Sequence, residues 1–213
     1  MPPRFENVRA VLFDWDGTLL DSYQADQKAY LAMFRAMGIP WRVEDLERHY
    51  SPDWYRVYRA ARLPRAHWQR ADRVWRLHYR RQRPMLLPHA KTVLRKMGNL
   101  FRLGLVTSGS RTRVLQQLSG FGLTRLFAAR VYSESAAYRK PHPAPLRLAL
   151  HNLRIAPSDA VYVGDSPEDI LMAQRSGVRR VAVLGPFPTH ERLRAAHADV
   201  LLESIRLLPG LFR

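Results

Sequence analysis

Two aspartates one residue apart follow a short apolar run and precede a glycine, in Val11-Leu12-Phe13-Asp14-Trp15-Asp16-Gly17-Thr18. On an extended backbone, side chains at i and i+2 project to the same side. One carboxylate could then attack while the other moves a proton. Gly17 lets the chain turn sharply just afterwards. Taken alone, Asp-x-Asp-Gly also reads as a plain turn with Asp14 as a cap. Three later segments bear on the choice. Thr107-Ser108-Gly109-Ser110 offers hydroxyls and loop amides that can hold phosphate oxygens beside a following helix, although Ser/Gly loops also simply start helices. Arg139-Lys140-Pro141-His142-Pro143 holds a lysine among prolines, suited to neutralising a phosphate or an aspartyl nucleophile. Gly164-Asp165-Ser166-Pro167-Glu168-Asp169 sets two acids one helical turn apart, suited to a hard cation such as Mg2+. The same Asp-Ser-Pro-Glu run also reads as a capped helix start.

These groups need a frame that brings them together. Short apolar or β-branched runs predict strands over residues 8–13, 102–107, 126–132, 160–163, 180–184 and 199–202. Several are almost continuously hydrophobic, as buried parallel strands are. Helical spacing over 89–97, 111–119, 144–153, 168–176 and 191–196 fills most of the gaps. The alternation predicts an α/β fold: a doubly wound, Rossmann-like parallel sheet with ligands at the carboxyl ends of its strands. Residues 22–87 break the pattern. They contain no convincing strand and four helical segments, at 23–37, 43–49, 53–61 and 66–82. The expected division is a core of residues 1–20 and 86–213, with an all-helical insertion over 21–85.

Composition narrows the classes. The chain of 213 residues is 46% hydrophobic, with no apolar run near the roughly 18 residues of a membrane span. Its first six residues, Met-Pro-Pro-Arg-Phe-Glu, lack the apolar stretch of a secretory signal, so a cytoplasmic protein without a membrane partner is expected. Without cysteine there are no disulfides, thiol nucleophiles or Cys-based zinc sites. Lys and Arg number 35 against 18 Asp and Glu, a net charge of +17, and only four of the cations are lysines. Such a field draws anions, either phosphorylated metabolites or nucleic acid, or else marks a basic surface with no specific partner.

In order and form, the four segments resemble the motifs of the haloacid dehalogenase-like (HAD) hydrolase superfamily, in its C1-capped, phosphoglycolate phosphatase-like branch. The likeness extends to Ala198-Asp199-Val200, similar to a late strand in many members. It implies a Mg2+-dependent phosphatase that hydrolyses a small phosphorylated metabolite through an aspartyl-phosphate. By position, the resemblance makes Asp14 the nucleophile and Asp16 the general acid/base. Thr107, with Ser108 and Gly109, would bind the phosphoryl group, and Lys140 would steady charge around it. Asp165 would bind Mg2+ together with Asp14 and the Asp16 backbone carbonyl, with Asp169 supporting the metal. The helical insertion would be the C1 cap.

Asp16 argues against a dehalogenase, which needs no leaving-group acid. Lys28 is the insertion's single lysine, and it lies in the first predicted helix, which disfavours a Schiff-base phosphonatase. A sugar-phosphate mutase of the same family is the alternative, although such mutases commonly carry His where this chain has Asp26. A nucleotide- or nucleic-acid-directed phosphatase or binding protein is another, suggested by charge but not favoured. Arg35, Arg42, Arg56, Arg59 and Arg62 are candidates to clamp a second anionic group. Trp41, Trp54, Trp68 and Trp75 read as packing of the insertion in preference to base stacking. The Trp15 side chain is expected to face the cap.

Overall fold

The first strand, β1 (Ala10–Phe13), is buried at every position. Val11 and Phe13 enter one hydrophobic cluster, while Ala10 and Leu12 enter another on the opposite face. A strand apolar on both faces needs helices on both sides, so β1 sits at the centre of the sheet. The computed structural model describes residues 4–212, which leaves the first three residues of the N-terminal hexapeptide outside it.

After β1 the chain forms a two-residue strand, β2 (Leu20–Asp21), and then the helices α1 (Tyr23–Ala36), α2 (Val43–His49), α3 (Trp54–Ala60) and α4 (Trp68–Tyr79). It returns through β3 (Met85–Leu86), which pairs antiparallel with β2 and so ties the two ends of the helical insertion together. Then follow α5 (Ala90–Gly98), β4 (Arg102–Val106), α6 (Arg111–Gly120), β5 (Phe127–Val131), α7 (Ala144–Leu153), β6 (Ala160–Gly164), α8 (Pro167–Arg175), β7 (Arg179–Val183), α9 (His190–Arg194) and β8 (Val200–Leu202).

The six longer strands form a parallel sheet in the order β5-β4-β1-β6-β7-β8. The chain winds outward from β1 to β5, then crosses back to β6 on the other side of β1. That reversal is the topological switch point, where open α/β sheets bind ligands. The register levels the carboxyl ends: Phe13 lies opposite Leu105 of β4 and Val163 of β6. Asp14, Thr107 and Asp165 are each the first residue beyond one of these three adjacent strands. The predicted doubly wound parallel sheet is thus the fold observed.

The insertion has a core of its own, in which Tyr30, Met33 and Phe34 of α1 meet Leu46, Val57, Tyr58 and Ala71. Phe187, from the loop after β7, joins that core and docks the insertion on the sheet domain. β3 corrects the expectation of no strand between 22 and 87: two residues beside Pro84 are too few to show a period. The helix expected over 66–82 is split, with a 3-10 turn at Arg65–His67 leading into α4. An unpredicted 3-10 segment, Ile205–Leu211, closes the chain against Phe5, whose amide donates to the Leu211 carbonyl at 2.7 Å. No helix among the described residues is long and apolar enough to cross a membrane.

Candidate active site

Backbone bonds place the first acid. The Asp14 amide donates to the Val163 carbonyl of β6 at 2.9 Å, carrying the ladder one residue past β1. Its carboxylate accepts from Lys140 Nζ at 2.5 Å on Oδ1, and the same ammonium donates to Asp169 Oδ1 at 2.7 Å. Lys140 is only 3% exposed, so the cation of this triad is held below the site surface.

Asp169 is aimed by the start of α8. Ser166 caps that helix, accepting from the Asp169 amide at 3.2 Å and donating through Oγ to Asp169 Oδ2 at 2.6 Å, with Pro167 in the first turn. The Tyr162 hydroxyl adds a third bond, to Asp169 Oδ1 at 2.9 Å. The helix start and the acidic site suggested for this segment are therefore both present, built from the same residues. Thr18 Oγ1 donates to Asp165 Oδ1 at 2.9 Å and Thr189 Oγ1 to the Asp165 carbonyl at 2.8 Å. Gly17 has φ +85, and a Cβ there would strike the Asp165 carboxylate and the Phe187 ring. Glycine is required at that position for its conformation and for space. Thr107 continues β4 by donating its amide to Val131 at 3.0 Å, and its Oγ1 accepts from the Gly109 amide at 2.9 Å.

Oxygens of Asp14, Asp165 and Asp169 lie within 4.8 Å of one another, all three residues buried. Burial, resisted by Lys140 and reinforced by the Asp169 carboxylate, pushes the Asp14 carboxyl up to about 7. Burial also raises Asp165 well above the usual range, with Asp14 and Asp169 adding repulsion. Lys140 moves upward too: burial alone would lower it, but Asp14 and Asp169 outweigh that. Three carboxylates against one ammonium leave a deficit of positive charge in an all-oxygen site. That donor set fits a hard divalent cation.

Asp16 takes another partner. Arg113, in the first turn of α6, donates from Nη1 to Oδ1 at 2.9 Å and from Nη2 to Oδ2 at 2.7 Å. Burial would raise the Asp16 carboxyl, but this guanidinium holds it below its ordinary value. Trp15 does not face the insertion as expected. It is fully buried in the core cluster of the sheet, with its indole N–H donating to Gln117 Oε1 at 2.9 Å.

Above these groups lies a cavity of about 350 Å3 between the sheet edge and the insertion. Asp14, Asp16, Thr107, Ser108, Gly109, Asp165 and Asp169 all line it, while Lys140 sits behind Asp14 and Asp169. None of the five candidate arginines Arg35, Arg42, Arg56, Arg59 and Arg62 is on its wall; Arg76, Arg113 and Arg139 are. Trp41 and Trp68 pack into the insertion as expected, whereas Trp54 and Trp75 both pack there and line the cavity. Sequence reasoning missed Arg113, whose signal is its place one turn past the Thr107 loop. Among 31 arginines that signal does not stand out.

A family model described as haloacid dehalogenase-like hydrolase matches residues 11–183. A phosphoglycolate phosphatase of Yersinia pestis is 28% identical over 223 residues, covering 98% of this chain and 95% of its own. The pyrophosphatase PpaX of Oceanobacillus iheyensis is 26% identical over 204 residues, covering 94% of each chain. Among solved structures, CbbY from Rhodobacter sphaeroides in complex with phosphate superposes with a TM-score of 0.79 at 27% identity, over 96% of this chain and 99% of that one.

Proposed function

The chain belongs to the haloacid dehalogenase-like hydrolases, and on that premise we propose that it is a Mg2+-dependent phosphatase that cleaves a small phosphorylated metabolite through an aspartyl-phosphate. The observation that carries this reading is the convergence of Asp14, Asp165, Asp169 and Lys140 at the switch point, under the Thr107 loop. Relatives named as a phosphoglycolate phosphatase and a pyrophosphatase support phosphate release as the reaction, and a solved relative holding phosphate supports the class of ligand.

In this mechanism Asp14 attacks phosphorus in line, its Oδ forming the new bond as the ester P–O bond breaks. Asp16 gives its proton to the departing oxygen, then takes one from the water that hydrolyses the aspartyl-phosphate. The Thr107 hydroxyl and the Ser108 amide hold the phosphoryl oxygens, and the Gly109 amide, bonded to Thr107 Oγ1, fixes that hydroxyl in place. Lys140 keeps Asp14 aligned and supplies fixed positive charge. Asp14, Asp165 and the Asp16 carbonyl would hold Mg2+, with Asp169 in support, and the ion when bound offsets negative charge on the phosphoryl group. Residues 21–85 act as the cap, excluding water from the cavity beneath them.

Phosphate release from 2-phosphoglycolate and a panel of phosphorylated sugars, acids and nucleotides, assayed with Mg2+ and again with a chelator, tests the reading. Turnover that the chelator stops is expected; inactivity on every compound would defeat it.

A further inference from the structure

The part of the cavity away from the phosphoryl site is walled by the insertion, and its chemistry suits something other than a two-carbon acid. We propose that the alcohol half of the substrate carries a planar unsaturated ring, so that ring-bearing phosphomonoesters are preferred over phosphoglycolate. This inference rests on the phosphatase reading above and specifies its substrate.

Size is the first argument. A space of about 350 Å3 falls in the range of roughly 300–1,000 Å3 that encloses a drug-sized ligand. The phosphoryl group takes the part beside Asp14 and Thr107, and the rest lies under the insertion. The insertion that walls this space is latched to the sheet domain on several sides. Ser51 Oγ donates to Glu168 Oε1 at 2.8 Å, Arg192 to the Tyr50 carbonyl at 2.8 Å, and Arg113 to the Tyr79 hydroxyl at 3.2 Å.

The wall is the second. Tyr30, Tyr50, Tyr58 and Tyr79, all buried, line the cavity together with half-buried Trp54 and Trp75. The half-buried rings of Trp54, Tyr55 and Trp75 can take up a flat ring through area burial and edge or offset contacts. They offer little to a short polar chain.

The wall also carries polar groups. Asp72 accepts from the Tyr58 hydroxyl at 2.8 Å, and Asp26, Arg76, Arg113 and Arg139 face the same space. Arg113 is bound by Asp16, and the Arg139 guanidinium lies 3.8 Å from the Trp54 ring centroid and 4.2 Å from that of Tyr55, with its Nη1 buried and without a hydrogen-bond partner among the described residues. Such groups can bond polar atoms at the edge of a ring.

The test compares kcat/KM with Mg2+ for 2-phosphoglycolate, ethyl phosphate, 2-phenylethyl phosphate and adenosine 5′-monophosphate. All four are esters of alkyl alcohols, so differences report mainly on binding of the alcohol half. The ring-bearing esters are expected to exceed ethyl phosphate and 2-phosphoglycolate by at least about tenfold, the worth of burying one ring. The phenyl and adenine arms tell a plain ring from a heterocycle, and a preference for either supports the proposal. Trp75→Leu should shrink the preference; if it does not fold, the wild-type comparison decides alone. Hydrolysis of 2-phosphoglycolate or ethyl phosphate as fast as the ring esters would overturn the inference and leave the phosphatase reading standing. Inactivity on all four, and on the wider panel above, would overturn both.

Discussion

Arg113 grips both carboxylate oxygens of Asp16, at 2.9 and 2.7 Å, while its guanidinium lies 4.9 Å from the Tyr79 ring centroid and bonds the Tyr79 hydroxyl at 3.2 Å. A helix of the sheet domain, the loop after β1 and the last turn of α4 therefore meet at one cation. The pairing favours the ionised form of Asp16, which suits a base that activates water. To act first as an acid, Asp16 must acquire a proton despite that neighbour. The arginine thus sets the balance between the two halves of the reaction.

Replacing it shifts that balance in a definite direction. In Arg113→Gln, Asp16 becomes the weaker acid and carries its proton to higher pH, so ester cleavage should gain relative to hydrolysis of the aspartyl-phosphate. The expected result is kcat lower by about tenfold or more, with a larger burst of alcohol release in the first turnover than in the wild type. Rapid-quench measurement reads the burst directly. A fall in kcat with no change in burst would mean that Arg113 serves the fold alone.

Asp14→Asn should leave no measurable turnover while preserving the fold, because the amide oxygen can still accept from Lys140. Asp16→Asn should lose about 10²–10⁴-fold in kcat, the usual worth of a proton carrier. Steady-state kinetics beside circular dichroism separates lost chemistry from lost structure. Normal turnover by the Asp14 variant would refute the mechanism.

The site's charge also predicts how stability responds to pH. Asp14 and Asp26 rise from 3.8 to about 7 on folding, in both cases chiefly through burial, and Asp165 rises well above 3.8 for the same reason. The folded protein then keeps protons that the unfolded chain has already released, so metal-free stability falls as pH climbs from about 4 through 7. Asp16, shifted downward, and Lys140, shifted upward, have their contributions in place throughout pH 5–8 and do not alter the trend. A drop in Tm of roughly 5–10 °C between pH 5 and 8 is expected without metal. Added Mg2+ should recover most at pH 8, where the carboxylates it binds are free of protons. Differential scanning calorimetry at fixed ionic strength measures both effects, and a metal-free Tm that rises over this range would contradict them.

What the sequence disclosed follows from range. The motif residues stand next to strand ends, and strands buried on both faces announce themselves as unbroken apolar runs such as 160–163. Once the order of motifs is seen, Asp14, Thr107 and Asp165 must sit side by side, because parallel strands end at one edge. Contacts between the insertion and the sheet domain were not legible in that way. Arg113 and Tyr79 are 34 residues apart and Ser51 and Glu168 are 117 apart. No local period links such partners. Nor could sequence show which insertion arginines reach the cavity, because helix phase turns Arg56 and Arg59 toward Glu168 and Asp53. The Trp15 side chain turns away from the insertion for a similar reason: its backbone belongs to the loop after β1 while its ring fills the sheet core beneath.

Glu168 provides the last prediction, on cap closure. It lies one residue before Asp169 in the first turn of α8 and is 5% exposed, yet its partners are in the insertion: the Ser51 hydroxyl at 2.8 Å and the Arg56 guanidinium at 3.5 Å. Its second oxygen, Oε2, has no hydrogen-bond partner among the described residues. A buried carboxylate held from one side loses most of its stabilisation when those partners leave while it stays shielded from water. Hydrogen bonds to charged groups contribute about 1.5–3 kcal/mol, so Glu168→Ala should open the insertion more often and raise KM by roughly tenfold or more. The chemical step, carried by neighbouring but separate groups, should change less. Hydrogen exchange should speed up over residues 50–56, where the insertion loses its anchor, while the amides of β1 and β6 keep their protection. Unchanged exchange at residues 50–56 together with an unchanged KM would show that the other contacts, Arg192 with Tyr50 and Arg113 with Tyr79, hold the insertion without help from Glu168.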